Sequence, residues 1–279
     1  MSGGIVNTKE KVLQHGSRGM DILKDYVDED IYVRCANRLV DDERKVALIT
    51  TGFFVANSAE TDGPPGAFFL YHALKKIGYE VALLVDPIVF PLMCNAVGYE
   101  SLINMPLGED VDSKAFARSI RDSLNPSVII AIERCGRAAD GKYKNMRGKD
   151  IGAHTAKVDE VFELLASESY SVGIGDGGNE IGMGNLVEVI HEGLDIDPCI
   201  VPVDELLIAT VSNWGAYGLI RELEIASSRS GLLPTPEQQQ AFVAKIVGMG
   251  AVNGMSGLPE CVVDGFDAEV EQSIVASLI

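Results

Sequence analysis

Val128-Ile129-Ile130-Ala131-Ile132-Glu133-Arg134-Cys135-Gly136-Arg137 is the stretch on which the fold of this chain turns. Five apolar residues in a row, most of them β-branched, offer no polar face. Such a run specifies a strand covered on both sides, as in a parallel sheet. It then breaks abruptly into a charged, glycine-containing loop. Working outward, Val46-Ala47-Leu48-Ile49-Thr50 and Val81-Ala82-Leu83-Leu84-Val85 repeat the strand pattern, and residues 170–174 and 206–210 are shorter candidates. Helical periodicity fills the gaps. Pro65 opens and Gly78 closes a segment with Phe69, Leu70, Ala73, Leu74 and Ile77 on one face. Asp112 is placed to cap a helix burying Phe116, Ile120 and Leu124, and Val158, Val161, Phe162 and Leu165 mark another apolar stripe. This alternation predicts an α/β fold: a mostly parallel sheet with helices on both faces, doubly wound and Rossmann-like in three layers. No repeat or low-complexity linker interrupts it, so residues 1–279 read as one domain. Residues 1–44 form a helical N-terminal arm that packs on an edge or carries an oligomer contact.

Composition narrows the partners. Forty-one acidic residues against 23 basic ones give a net charge of −18, which opposes nucleic acid and anionic membranes at long range. Five scattered cysteines without a Cys-x-x-Cys pair exclude a zinc knuckle and fit a reducing compartment. The N-terminus carries no signal pattern, and the most apolar stretch is broken by Asp86, Pro87 and Pro91, so a cytoplasmic protein is expected.

The polar residues fall where the strands end. Residues 50–66 follow the first strand and contain Glu60, Thr61, Asp62 and Gly63. Residues 133–141 follow the third, Gly175-Asp176-Gly177-Gly178-Asn179-Glu180 the fourth, and Ser212-Asn213-Trp214-Gly215 the fifth. In open parallel sheets ligands bind beyond the carboxyl ends of the strands, which places a site among these four loops.

Each loop has a chemical reading and a plainer one. Residues 133–149 hold six basic residues (Arg134, Arg137, Lys142, Lys144, Arg147, Lys149) against Glu133 and Asp140. A positive patch on an acidic protein suits a small anion, with surface neutralisation as the alternative. Residues 173–184 contain six glycines, and Gly173, Gly175 and Gly178 match G-x-G-x-x-G. Asp176 would repel a pyrophosphate there. The glycines are better read as letting backbone N–H groups approach a carboxylate while Asp176, Asn179 and Glu180 present side chains; a self-bonded turn is the alternative. Asp62 is equally a helix cap. Together Glu60, Asp62, Glu133, Asp176 and Glu180 would either hold a hard divalent cation or raise one another's pKa. Cys135 lacks a nearby histidine and reads as an inert thiol, and Trp214 is balanced between site and core.

Read together, these segments resemble the D-glutamate cyclase family, in the domain that stands alone in many microbes and forms the C-terminal part of the animal mitochondrial enzymes. The resemblance rests on Glu60-Thr61-Asp62-Gly63-Pro64-Pro65-Gly66-Ala67, on residues 131–134 and 136–141, on 175–180 with Gly182-Met183-Gly184, and on Ser212-Asn213-Trp214-Gly215. It spans about residues 45–265; Cys135 stands where relatives are expected to carry alanine, and residues 86–112 match no motif. The resemblance implies a lyase that dehydrates D-glutamate to 5-oxo-D-proline. The expected catalytic carboxylates are Glu133, Asp176 and Glu180. Arg134, Arg137, Asp140, Gly177, Gly178, Asn179 and Asn213 are expected to bind the acidic amino acid. Glu60, Asp62 and Asp176 are the expected ligands if a divalent cation (Mn or Mg) is used. A Mg-dependent phosphotransferase or nucleotide-dependent enzyme and a non-catalytic sensor of acidic amino acids are the alternatives, the first weakened by the missing G-K-[ST] ending.

Overall fold

The protein is described by a computed structural model that covers residues 7–16 and 18–279. Six strands form one sheet: β1 (Val46–Gly52), β2 (Glu80–Val85), β3 (Leu102–Asn104), β4 (Val128–Arg134), β5 (Tyr170–Gly175) and β6 (Glu205–Ile208). Their spatial order is β3-β2-β1-β4-β5-β6, and every pairing is parallel. The chain winds one way from β1 to β3 and the other way from β4 to β6. That reversal opens a crevice above the carboxyl ends of β1 and β4, the usual ligand position in doubly wound sheets.

The mostly apolar strands serve two cores. Ile49, Leu83, Ile130, Ile132, Val172, Ile174 and Leu207 face a layer built from α1 (Thr8–Val12), α3 (Ile31–Asp41), α4 (Pro64–Lys76), α5 (Phe90–Val97), α9 (Ser212–Ser227), α10 (Pro236–Gly248) and α11 (Ala268–Leu278). Leu48, Ala82, Leu84, Ile129, Ala131, Leu206 and Ile208 face the opposite layer, with α2 (Met20–Leu23), α6 (Ser113–Ser123), α7 (Val158–Ala166) and α8 (Val187–Gly193). Strand residues alternate between faces, so a strand buried on both sides has no polar position until it ends.

The predicted helices are present within one or two residues. Asp112 caps α6, accepting from the Ala115 N–H at 3.0 Å. Of the N-terminal arm, residues 1–6 and 17 lie outside the described residues, and the remainder is integrated with the fold. α3 packs along α9, and the Tyr32 hydroxyl donates to the Ile208 carbonyl at 3.1 Å. Arg18, just before α2, reaches the carboxyl end of the sheet, where its Nη2 donates to the Thr210 carbonyl at 3.0 Å. Trp214 is core, wholly buried with its Nε1–H donating to Glu271 at 2.5 Å. Among the described residues no helix is long and apolar enough to cross a membrane.

Candidate active site

A cavity of about 530 Å³ lies over the crevice, lined by Arg18, Glu60, Glu133, Asp176, Glu180 and Asp264, with Asn179, Arg147 and Lys149 on its wall. The backbone aims the acids into it. In the pairing of β1 with β4, Thr51 meets Ile132 and Gly52 meets Arg134, so Glu133 is an unpaired bulge residue. Its φ of +44° is left-handed, a conformation that costs a non-glycine residue about 1 kcal/mol or more. A bulge re-aims a side chain that strand alternation would send elsewhere. Glu133 Oε2 accepts from the Ser212 hydroxyl at 2.6 Å.

Asp176 follows β5 directly. One carboxylate oxygen accepts from the Ser212 N–H at 3.1 Å and from the Arg18 guanidinium, while the other is buried without a partner. Glu180 turns back on its own loop, accepting from Gly178 N–H at 2.7 Å and Asp176 N–H at 3.3 Å. The N–H groups of Gly178 and Asp176 therefore serve Glu180 and not a ligand.

Asp62 and Asn213 cap each other's helices. The Asp62 carboxylate accepts from the N–H groups of Ser212 and Asn213, both at 2.8 Å, at the start of α9. Asn213 Oδ1 in turn accepts from Gly63 at 3.1 Å and Gly66 at 2.7 Å. Pro64 and Pro65 have no N–H, so those two donors are what α4 offers there. The expectation that Asp62 is the N-cap of the helix following it is thus corrected: Gly63 holds that position, and Asp62, which also accepts from the Gly63 N–H at 2.9 Å, caps α9. Asn213, expected at the ligand, is wholly buried and positions the Asp62 loop.

Carboxylate oxygens of Asp62, Asp176 and Asp264 lie within 4.8 Å of one another, as do those of Glu133, Asp176 and Glu180. Asp176 belongs to both groups. Glu60, expected beside Asp62 and Asp176 as a metal ligand, lines the cavity but stands outside both. Burial, followed by the charges of neighbouring acids, pushes Glu133 and Glu60 well above the usual carboxylate range. Burial, opposed by Arg18 and reinforced by Glu133 and Asp264, does the same to Asp176. Asp62 is pushed up to about 7 by burial and then by Asp264. For Arg18, burial works against the charged form, but Asp176 and Asp264 outweigh it and hold the guanidinium protonated.

The two arginines of the predicted anion site point elsewhere. Arg134 is buried; its Nη1 donates to Asp86 at 2.6 Å and Gly52 O at 3.1 Å, and its Nη2 to Ala156 O at 2.8 Å. Arg137 pairs with Asp159 at 2.9 Å and Glu163 at 2.6 Å. Asp140 is exposed and pairs with Lys144 at 2.7 Å. Neither arginine nor Asp140 lines the cavity, and its lining also omits Gly177 and Gly178. Asn179 does line it, with its Nδ2 donating to Lys144 O at 2.9 Å. Arg18 and Asp264 complete the centre and were not anticipated. Each is a lone charged residue beside a glycine, a pattern common to surface turns.

A family model described as D-glutamate cyclase-like, C-terminal, matches residues 10–279. The human protein "D-glutamate cyclase, mitochondrial" is 38% identical over 204 residues, covering 65% of this chain. The match takes in 33% of the human protein, so this chain spans about a third of that relative's length. An exopolyphosphatase-related protein from Bacteroides fragilis superimposes with a TM-score of 0.41 at 12% identity, over 88% of this chain and 56% of that one. RecJ in complex with Mn2+ from Thermus thermophilus gives 0.36 at 10%, over 88% and 37%.

Proposed function

Because the chain belongs to the D-glutamate cyclase-like family, we propose that it is a carbon–oxygen lyase closing D-glutamate into 5-oxo-D-proline by intramolecular dehydration. The observation that carries this reading is the ring of buried carboxylates around a cavity of about 530 Å³, at the sheet's ligand position. In the reaction the α-nitrogen bonds to the γ-carboxyl carbon, one C–O bond breaks, and two ammonium protons leave with that oxygen as water. An ammonium entering this pocket meets Asp176 and Glu133. A carboxylate raised above its ordinary pKa is a stronger proton acceptor, and Glu133, re-aimed by its bulge, is the assigned base. Asp176 holds the nitrogen near the carbon it attacks, and proximity within one molecule supplies much of the rate. Arg147 and Lys149, on the cavity wall, take over the substrate-carboxylate role that Arg134 and Arg137 were expected to fill. A divalent cation (Mn or Mg) held by the acids would supply electrophilic help to the departing oxygen. With Glu180 occupying loop N–H groups, the phosphotransferase alternative lacks its phosphate cradle. Five free cysteines fit a cytoplasmic setting.

Proton NMR of D-glutamate and L-glutamate incubated with the protein, with Mn2+ or Mg2+ and no ATP, tests the reading. Lactam signals are expected from D-glutamate; saturable binding without product would favour the sensor alternative and overturn it. The reassigned anion site makes its own prediction. Arg147→Gln or Lys149→Gln should lower kcat/KM about 10–100-fold, the scale of one charge-assisted hydrogen bond. Arg137→Gln should leave KM unchanged while costing about 1–3 kcal/mol of stability, because Asp159 stays buried without its cation. A raised KM in Arg137→Gln with normal stability would restore that arginine to the substrate.

A further inference from the structure

We propose that the cavity also accepts γ-D-glutamyl amides of apolar amines, cyclising them to 5-oxo-D-proline with release of the amine. The proposal deepens the cyclase reading and rests on it for the ring closure, but not for the apolar part of the substrate. D-glutamate leaves much of the site unexplained. The cavity of about 530 Å³ lies in the range of about 300–1,000 Å³ that encloses drug-sized molecules, and glutamate is far smaller. The only apolar surface of glutamate is its methylenes, yet one wall is aromatic, aliphatic and thioether: Phe53, Phe54, Val55, Met146, Ile151 and Met255.

That wall has its own foundation. Phe53 and Ile151 are buried with Cys135 and Tyr143 in a cluster separate from the two main cores, and Phe54 and Val55 pack against it. Two methionines carry the apolar surface up to the acids. A Cβ on Gly177 would stand 2.8 Å from both Met146 Sδ and Glu180 Oε1, so thioether and carboxylate flank one glycine. Met255 follows Gly254, whose own Cβ would stand 2.3 Å from Glu60 Oε2 and 2.6 Å from Asp264 Oδ1. Only residues without a side chain let the backbone come so near these groups. The Arg147 guanidinium meets the Met255 carbonyl at 3.5 Å, which brings the two methionine-bearing loops side by side. Methionine is flexible and polarizable, and adapts to apolar groups of varied shape.

Charge points to the γ end as the place of the substituent. Among the described residues, five acids line the cavity against three cations, and one of those cations, Arg18, is committed to Asp176 and Asp264. A substrate with one carboxylate meets less repulsion there than a substrate with two. Arg147 and Lys149 receive the α-carboxylate, and an amide removes the charge at the γ-carbon. In the step the α-nitrogen bonds to the γ-carbon and the γ C–N bond breaks. Two ammonium protons pass to the departing nitrogen, which leaves as an alkylammonium, and neither water nor a redox partner is consumed.

The test is a series of γ-D-glutamyl ethyl-, butyl- and hexylamides, whose amines have nearly the same basicity, so that only apolar length varies. Lactam and free amine are measured by mass spectrometry under the conditions used for D-glutamate, which is assayed beside them. kcat/KM should rise about two- to fourfold per added methylene, the scale of burying one such group, through a falling KM. Met146→Gln and Met255→Gln, at exposed side chains whose exchange spares the core, should flatten that dependence. Turnover of D-glutamate with no amine released from any amide would overturn the proposal and leave the cyclase reading standing. Rates independent of chain length, or a slope that neither substitution changes, would overturn it as well. Amine release without turnover of D-glutamate would support it and overturn the dehydration reading, and turnover of neither would overturn both.

Discussion

Asp176→Asn is expected to lower kcat for D-glutamate by at least about a hundredfold, the scale for misplacing the reacting nitrogen that Asp176 holds. The melting temperature should change little. The substitution keeps the shape of a residue fixed at the end of β5, and one amide oxygen can still accept the Ser212 N–H now bonded at 3.1 Å. What disappears is the charge that both acidic groups share. Losing the ion pair with Arg18 destabilises the centre, but the repulsion with Glu133, Asp264 and Asp62 that raises the Asp176 pKa is relieved as well. Steady-state kinetics beside a thermal melt separate chemistry from folding. A variant with near-normal kcat, or one inactive only because it unfolds, would make Asp176 a turn residue.

Arg134→Met should produce the largest loss of stability, about 3–5 kcal/mol, the scale for stripping one partner from a buried ion pair. Arg134 fastens three segments beneath the cavity: Gly52 at the end of β1, Asp86 just after β2, and Ala156 before α7. Its removal leaves Asp86 charged, buried and unpaired, and two carbonyls without their donor. Denaturant unfolding reads the effect. Adding Asp86→Leu should recover part of the loss, since the second charge goes too. A stable Arg134→Met protein with a raised KM would instead return this arginine to the substrate.

Arg134 also shows why the site was only partly legible in the sequence. The strands β1, β2, β4, β5 and β6 announce themselves as apolar runs, and Glu133, Asp176, Asp62 and Glu180 stand out because each follows such a run. The acids needed no contact information to be placed near one another. The role of a cation just past a strand does need it. A one-residue bulge opposite Thr51 and Gly52 exposes Glu133 to the cavity and commits Arg134 to the interior. Nothing in Ile132-Glu133-Arg134 encodes that difference locally, because register belongs to the pair of strands. Arg18 and Asp264 lie 246 residues apart in the chain and meet only through the tertiary fold. The edge strand β3 is three residues long, too short for any periodicity to emerge. Asp62 and Asn213 were visible as polar residues at helix starts, but their exchange of caps joins α4 to α9 across 151 residues of sequence.

The proposed activity is dehydration of D-glutamate within one molecule by the carboxylate centre above β1, β4 and β5. Its most direct test uses D-glutamate carrying oxygen-18 in both γ-carboxyl positions, incubated with the protein and a divalent cation in the absence of nucleotide, with the product analysed by mass spectrometry. The expected product is 5-oxo-D-proline retaining one labelled oxygen, with the other released as water, and no such product from the Asp176→Asn protein over the same period. Absence of lactam, or lactam formed only when ATP is added with the second label recovered in phosphate, would contradict it.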